Sequence, residues 1–337
     1  RLPAYSVRGG SMDSEEWGDW DDGDLRGDKQ TLLESLLPNG RGIWVAADHG
    51  VSKWPVPGLE DMQKLVNSLT GSDGIMADAI VAHRGVIDHI EVPRDWSGGW
   101  VMHLSASTVH GGEHADWKVL AGEADTLVWG AVERCAKAVS VQVNLGDPQE
   151  HEMIQALGDV AEACREHDMP LLGMIYPRGP NLSPDPDDET KGVAHAARLG
   201  WELGCDVVKV PWTGSIESFR QVSSCVPIPV LVAGGPYTDD FSDVLVMVHD
   251  ACRYAGAAGS CIGRNVFADD NPAERVMRLN QAMDPFSKYS KSSQNWRALD
   301  DVIQSRSEGP PNVVGKLREG FMEKFGESDE QFDEPSD

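Results

Sequence analysis

Eight short runs rich in β-branched and apolar residues recur along the chain, and stretches with helical spacing separate most of them. The runs are GIWVAADHG (42–50), AIVAH (79–83), GWVMHLSAS (99–107), AVSVQVNLG (138–146), PLLGMIYPRG (170–179), DVVKVPWTG (206–214), IPVLVAGGP (228–236) and GSCIGRNVF (259–267). In segment 58–70, Leu59, Met62, Leu65, Val66 and Leu69 fall on one helical face, and similar patterns cover 126–135, 150–167, 189–204, 215–225, 243–256 and 272–283. Strands that are apolar almost throughout must be buried on both faces, the condition of a parallel sheet covered by helices. Eight such units predict an α/β fold, a closed (β/α)8 barrel over 29–284. An open doubly wound sheet is the alternative, because the second and third units are loosely patterned.

The segments 1–28 and 327–337 are acidic and poor in apolar residues, a composition that predicts disorder. Between the barrel and the acidic tail, 285–326 carries two further helical patterns, 296–306 and 313–325, the latter with Val314, Leu317, Phe321 and Phe325 on one face. With 55 acidic against 29 basic residues the formal net charge is -26, which repels nucleic acid and anionic membranes. No run approaches the roughly 18 apolar residues of a membrane span, and no apolar signal core lies near the first residues. Cys135, Cys164, Cys205, Cys225, Cys252 and Cys261 form no CxxC pair and read as buried free thiols of a reducing compartment. These features predict a cytoplasmic protein with neither nucleic acid nor membrane as partner.

In such a barrel the chemistry belongs at the C-terminal strand ends. Those ends offer Asp48 and His49, Tyr176 and Arg178, Lys209, Gly234 and Gly235, and Gly263 and Arg264. Strand alternation sends Val208 and Val210 toward the helices and Lys209 into the barrel. Burial disfavours an ammonium, so the expectation is a pKa brought from about 10.4 to near 7, on the order of 4 to 5 kcal/mol against the charged form. The free amine would then add to a carbonyl as a Schiff base. A structural pairing of Lys209 with an inward carboxylate such as Asp48 is the alternative. Tyr176 is placed either to pass a proton or to plug the barrel, and Asp48 either to act as a base or to cap a loop. The two glycine turns expose backbone amides suited to phosphate, with Arg264 as a charged donor. HGGEH (110–114) and HEM (151–153) lack the spacing of a zinc helix, and 309–316 departs from a P-loop, so neither a metal nor a nucleotide is expected.

Seven motifs, AADHGVSKWPVPGLEDM, HLSAST, VSVQVNLG, GMIYPRGP, VVKVPWTGSIESFRQV, VLVAGGP and GRNVF, occur in that order, and over about residues 30–283 the chain resembles the archaeal class I aldolase superfamily of (β/α)8 barrels, of the DeoC/LacD type. The resemblance implies a Schiff-base aldolase or transaldolase in which Lys209 is the Schiff-base lysine, Tyr176 the proton donor and Asp48 the proton acceptor. It implies substrate contacts from His49, Gly50, Val51, Ser52, Pro177 and Arg178, and phosphate contacts from Gly234, Gly235, Gly263 and Arg264. No cofactor and no metal are implied. The implied partners are a phosphorylated keto sugar, an aldehyde and further copies of the same chain. Two activities remain open: transfer of a three-carbon unit from 6-deoxy-5-ketofructose 1-phosphate to L-aspartate semialdehyde on a route to 3-dehydroquinate and the aromatic amino acids, which the motifs resemble more closely, and cleavage of fructose 1,6-bisphosphate. Gln142, where relatives commonly carry histidine, and Tyr237, where lysine usually follows GGP, depart from the family pattern.

Overall fold

The computed structural model describes residues 27–71, 76–182, 189–284 and 296–309. Strands β1 (Gly42–Ala46), β2 (Ala79–Ala82), β3 (Gly99–His103), β4 (Ala138–Leu145), β5 (Leu171–Pro177), β6 (Val207–Val210), β7 (Val230–Ala233) and β8 (Gly259–Ile262) follow one another around a closed parallel barrel. Closure is made by β8 against β1, in a register that pairs Gly42 with Gly259 and Val45 with Ile262. The eight predicted runs each hold one barrel strand, and the open sheet is excluded.

Alternation sorts the strand residues into two layers. Ile43, Val45, Ile80, Val139, Val208 and Val210 face outward and pack on the helices. Trp44, Val81, Val101, Leu172, Met174, Val207, Leu231 and Cys261 fill the interior. Below them, helix Lys29–Leu36 seals the N-terminal mouth; Asp28 caps it by accepting from the Thr31 N–H, and Leu36 and Leu37 pack against Trp44. The Trp44 indole N–H donates to the Leu36 carbonyl at 2.8 Å, satisfying the one polar atom of a fully buried side chain. With the bottom filled, the C-terminal mouth is left for chemistry.

The helical returns follow the sequence reading except around β3. Between β2 and β3 the helix is only Arg84–His89. After β3 the chain makes a small antiparallel ribbon, Ser105–Ala106 with Val119–Leu120, before helix Ala124–Glu133. This is the loosely patterned region of the sequence, where no periodicity announces the ribbon. Near the C-terminus, helix Trp296–Arg306 forms at the predicted position and packs on helix Phe241–Arg253, with Ile303 buried. The Ser307 hydroxyl and the Glu308 N–H both donate to Asp250. The predicted helix 313–325, the acidic segment 327–337 and residues 1–26 of the acidic segment 1–28 lie outside the described residues. All six cysteines are free, but Cys135 is exposed and Cys225 half-buried, so the expectation of uniformly buried thiols holds only for the other four. Among the described residues, no helix is long and apolar enough to cross a membrane.

Candidate active site

A cavity of about 1070 Å³ opens at the C-terminal mouth and is lined by Asp48, His49, Ser52, Tyr176, Arg178, Lys209, Gly234, Gly235, Gly263 and Arg264, together with residues the sequence reading did not select. Residues distant in sequence meet there because every barrel strand ends on this side. Gly50, Val51 and Pro177 are not among the lining residues. The reason is helical geometry: in the single turn His49–Ser52, positions i and i+3 share a face, so His49 and Ser52 turn inward while Gly50 and Val51 point to solvent.

Lys209 is 6% exposed, enclosed as its position in the apolar strand predicts. Its Cα is in register with Met174, so Tyr176 stands two residues farther along β5 on the same inward face. The Tyr176 hydroxyl and the Cys261 thiol of β8 both act on the Lys209 side chain. Asp48 closes the group. Its Oδ2 lies 3.8 Å from His103 Nε2 and its Oδ1 lies 3.7 Å from His49 Nδ1. His103 is anchored from the other ring nitrogen, which pairs with Ser140 Oγ at 2.8 Å, and its ring meets His83 edge-on at 5.2 Å.

Burial would raise the Asp48 carboxyl, but His103, His49, Lys209 and His83 together hold it at about 2. Burial pushes His103 down to about 4 in spite of Asp48, and it also lowers His49 and His83. The histidines are therefore neutral at pH 7, and Asp48 is a carboxylate. For Lys209, burial again opposes the charged form, yet its charge interactions with Cys261, Tyr176 and Asp48, in that order, outweigh it and hold the pKa above the ordinary lysine value. The Cys261 thiol is pushed up by burial and is uncharged at neutral pH, which leaves Asp48 as the standing anion facing Lys209. The direction runs against the expected neutral resting lysine, because a carboxylate in the same enclosure favours the ammonium.

The glycine turns close the opposite side of the cavity. Gly235 has φ +66°, in the left-handed region that favours glycine. A Cβ at Gly263 would lie 2.5 Å from the Ala46 carbonyl oxygen and 2.6 Å from His49 Cε1, so only glycine lets the start of the last turn approach β1. Arg264 Nη2 donates to the Gly235 carbonyl at 3.2 Å. Asn265, 4% exposed, donates to the carbonyls of Gly234 (3.0 Å) and Pro236 (2.9 Å) and accepts from the Thr238 N–H (3.0 Å). Asn265 thus braces the whole turn, a role that nothing in GRNVF betrays. Tyr237 is 53% exposed and is not a lining residue, whereas Gln142 is.

His103 was legible in principle, since a polar residue ends the apolar strand GWVMH just as Asp48 follows GIWVAA. Lys118 was not, because it reaches the cavity only through the unannounced ribbon.

A barrel of this kind, with an enclosed lysine, a phenol and a carboxylate at its C-terminal mouth, is the architecture of a lysine-dependent aldolase. The profile of the DeoC/LacD family aldolases matches residues 43–269, and the chain belongs to that family, an enzyme of class I that works through a lysine Schiff base. The chain is 38% identical over 252 residues to 2-amino-3,7-dideoxy-D-threo-hept-6-ulosonate synthase 1 of Archaeoglobus fulgidus, covering 75% of this chain and 89% of the relative. It is 37% identical over 236 residues to the 2-amino-4,5-dihydroxy-6-oxo-7-(phosphonooxy)heptanoate synthase of Streptomyces griseus, covering 70% and 82%. Among solved structures, a Schiff base forming fructose-1,6-bisphosphate aldolase superimposes with a TM-score of 0.65 at 27% identity, over 75% of this chain and 100% of that one.

Proposed function

We propose that the chain acts as a 2-amino-3,7-dideoxy-D-threo-hept-6-ulosonate synthase, a transaldolase that joins a three-carbon unit from 6-deoxy-5-ketofructose 1-phosphate to L-aspartate semialdehyde. The observation that carries the chemistry is the enclosure of Lys209 between Tyr176 and Asp48 in a cavity closed by the glycine turns. The choice of substrates is supported by the similarity to two synthases whose names describe seven-carbon 2-amino acids. Seven carbons with an amino-acid end are what a three-carbon unit and a four-carbon amino-acid aldehyde make.

In this reading the amides of Gly234, Gly235 and Gly263, with Arg264, hold the phosphate of the donor. Lys209 surrenders its proton as the ketone arrives, adds to the carbonyl, and loses water to give an iminium. Asp48 removes the proton of the hydroxyl on the carbon beyond, the C–C bond breaks, and the electron pair is stored in the iminium as an enamine. An aldehyde fragment departs and L-aspartate semialdehyde takes its place. The enamine carbon attacks the new aldehyde, Tyr176 delivers a proton to the alkoxide that forms, and water hydrolyses the iminium to free product and Lys209. Cytoplasmic residence and self-association belong to the same reading.

The test is reductive trapping. Incubation with the donor and borohydride should add a covalent mass to the parent chain and none to Lys209→Ala. An unaltered parent mass would refute the mechanism. Fructose 1,6-bisphosphate cleavage is the second reading, favoured by the superposition on the aldolase of that specificity. Efficient cleavage of fructose 1,6-bisphosphate without turnover of L-aspartate semialdehyde would put it first.

A further inference from the structure

Directly across the barrel from the glycine turns, a second cationic locus lines the same cavity. In a ring of eight strands in sequence order, the connection after β3 faces the end of β7. That connection carries Lys118. The ribbon holds it in place: Ala106 pairs with Val119 and Ser105 with Leu120, and the Ser105 hydroxyl accepts from the Gln142 N–H of β4 at 3.0 Å. Lys118 is 9% exposed. Its ammonium donates to the Ser107 hydroxyl and, at 3.4 Å, to the Ala115 carbonyl, two of the three bonds an ammonium can give. Arg178, from the end of β5, lines the same wall, lies over the Tyr176 ring at 5.1 Å, and reaches Asp116 at 3.3 Å. Burial, with Arg178 adding to it, lowers the Lys118 pKa, as expected for a cation whose surroundings do not fully repay its lost hydration. Asp116, Asp48 and Asp147 oppose this lowering without cancelling it.

We propose that Lys118, with Arg178 beside it, binds the acid group of the acceptor aldehyde. The inference rests on the transaldolase reading and extends it. The acceptor of this transaldolase carries a carboxylate of its own beside its α-ammonium. A locus across the cavity from the phosphate turns gives the incoming carboxylate its own partner and points the aldehyde carbon back toward Lys209 and Tyr176. The Lys118 amine then acts by positioning and takes no part in the proton transfers.

The experiment compares kcat/KM for three acceptors on one donor: L-aspartate semialdehyde, glyceraldehyde 3-phosphate and the uncharged glycolaldehyde. In Lys118→Met the preference for L-aspartate semialdehyde over the neutral glycolaldehyde should fall roughly tenfold or more, the loss expected for one charge-assisted hydrogen bond, and Lys118→Arg should restore much of it. The exposed Arg178→Gln should move the same ratio in the same direction, and it serves if Lys118→Met does not fold. Loss confined to L-aspartate semialdehyde supports a carboxylate locus; loss confined to glyceraldehyde 3-phosphate shows a second phosphate locus and overturns the assignment to a carboxylate. Equal loss with all three aldehydes, or an unchanged ratio, overturns the inference altogether. The proposed function fails separately, if the parent protein gives no borohydride adduct with the donor.

Discussion

The charge state around Asp48 can be tested through stability. His103 is buried and neutral, with its pKa brought from 6.5 to about 4 by loss of hydration. In the unfolded chain it titrates at its ordinary value, so between pH 6.5 and 4 the unfolded state binds more protons than the folded one. Stability therefore falls as pH falls through that window. At about 1.36 kcal/mol per unit, the full window is worth on the order of 3 kcal/mol, of which about 2 kcal/mol should be gone by pH 5. The perturbation is His103→Asn, which removes the titration and keeps a polar atom near Ser140 Oγ. Its packing loss is independent of pH, so the informative quantity is the slope and not the absolute stability. Urea unfolding of both proteins at half-unit steps from pH 7.5 to 5 should give a curve for the parent about 2 kcal/mol steeper over that range than the variant's. Parallel curves would mean that His103 keeps its ordinary pKa in the folded protein, and the account of burial as the dominant influence on it would be wrong.

Other expectations follow from the same geometry. Because Lys209 is held above its ordinary value, the rate of borohydride trapping should climb about tenfold per unit from pH 7 to 9 as the free amine is generated; a plateau already at pH 7 would contradict it. Asp48→Asn should shift that rise to lower pH while slowing turnover, since the anion that stabilises the ammonium is also the proton acceptor. Tyr176→Phe should cut turnover by roughly 10²–10⁴ while the borohydride adduct still forms, as intact mass will report. Gly235→Val, placed at φ +66°, should raise KM for the phosphorylated donor well above its effect on KM for the acceptor. Turnover in excess EDTA should equal that without it, because the iminium serves as the electron sink; inactivation reversed by a divalent cation would argue for a different chemistry.

Much of this protein was legible from local pattern. Continuous apolar strands and helical spacing specify a closed parallel barrel, and period-2 alternation alone places Lys209 inside and Val208 and Val210 outside, because the direction of a side chain along a strand depends only on its neighbours. Strand ends likewise pick out Asp48, Tyr176 and the glycine turns. Local pattern could not say that His49 and Ser52 turn inward while Gly50 and Val51 turn out, that Asn265 ties down the turn at Gly234, or that a ribbon carries Lys118 to the cavity wall. Nor could it decide the charge on Lys209. Burial is a property of one residue and can be guessed from its neighbours in sequence. The influences that oppose it come from Cys261, Tyr176 and Asp48, all distant in sequence, and act together only because closing the barrel brings β1, β5, β6 and β8 around one small, poorly hydrated interior where charges act on each other with little screening.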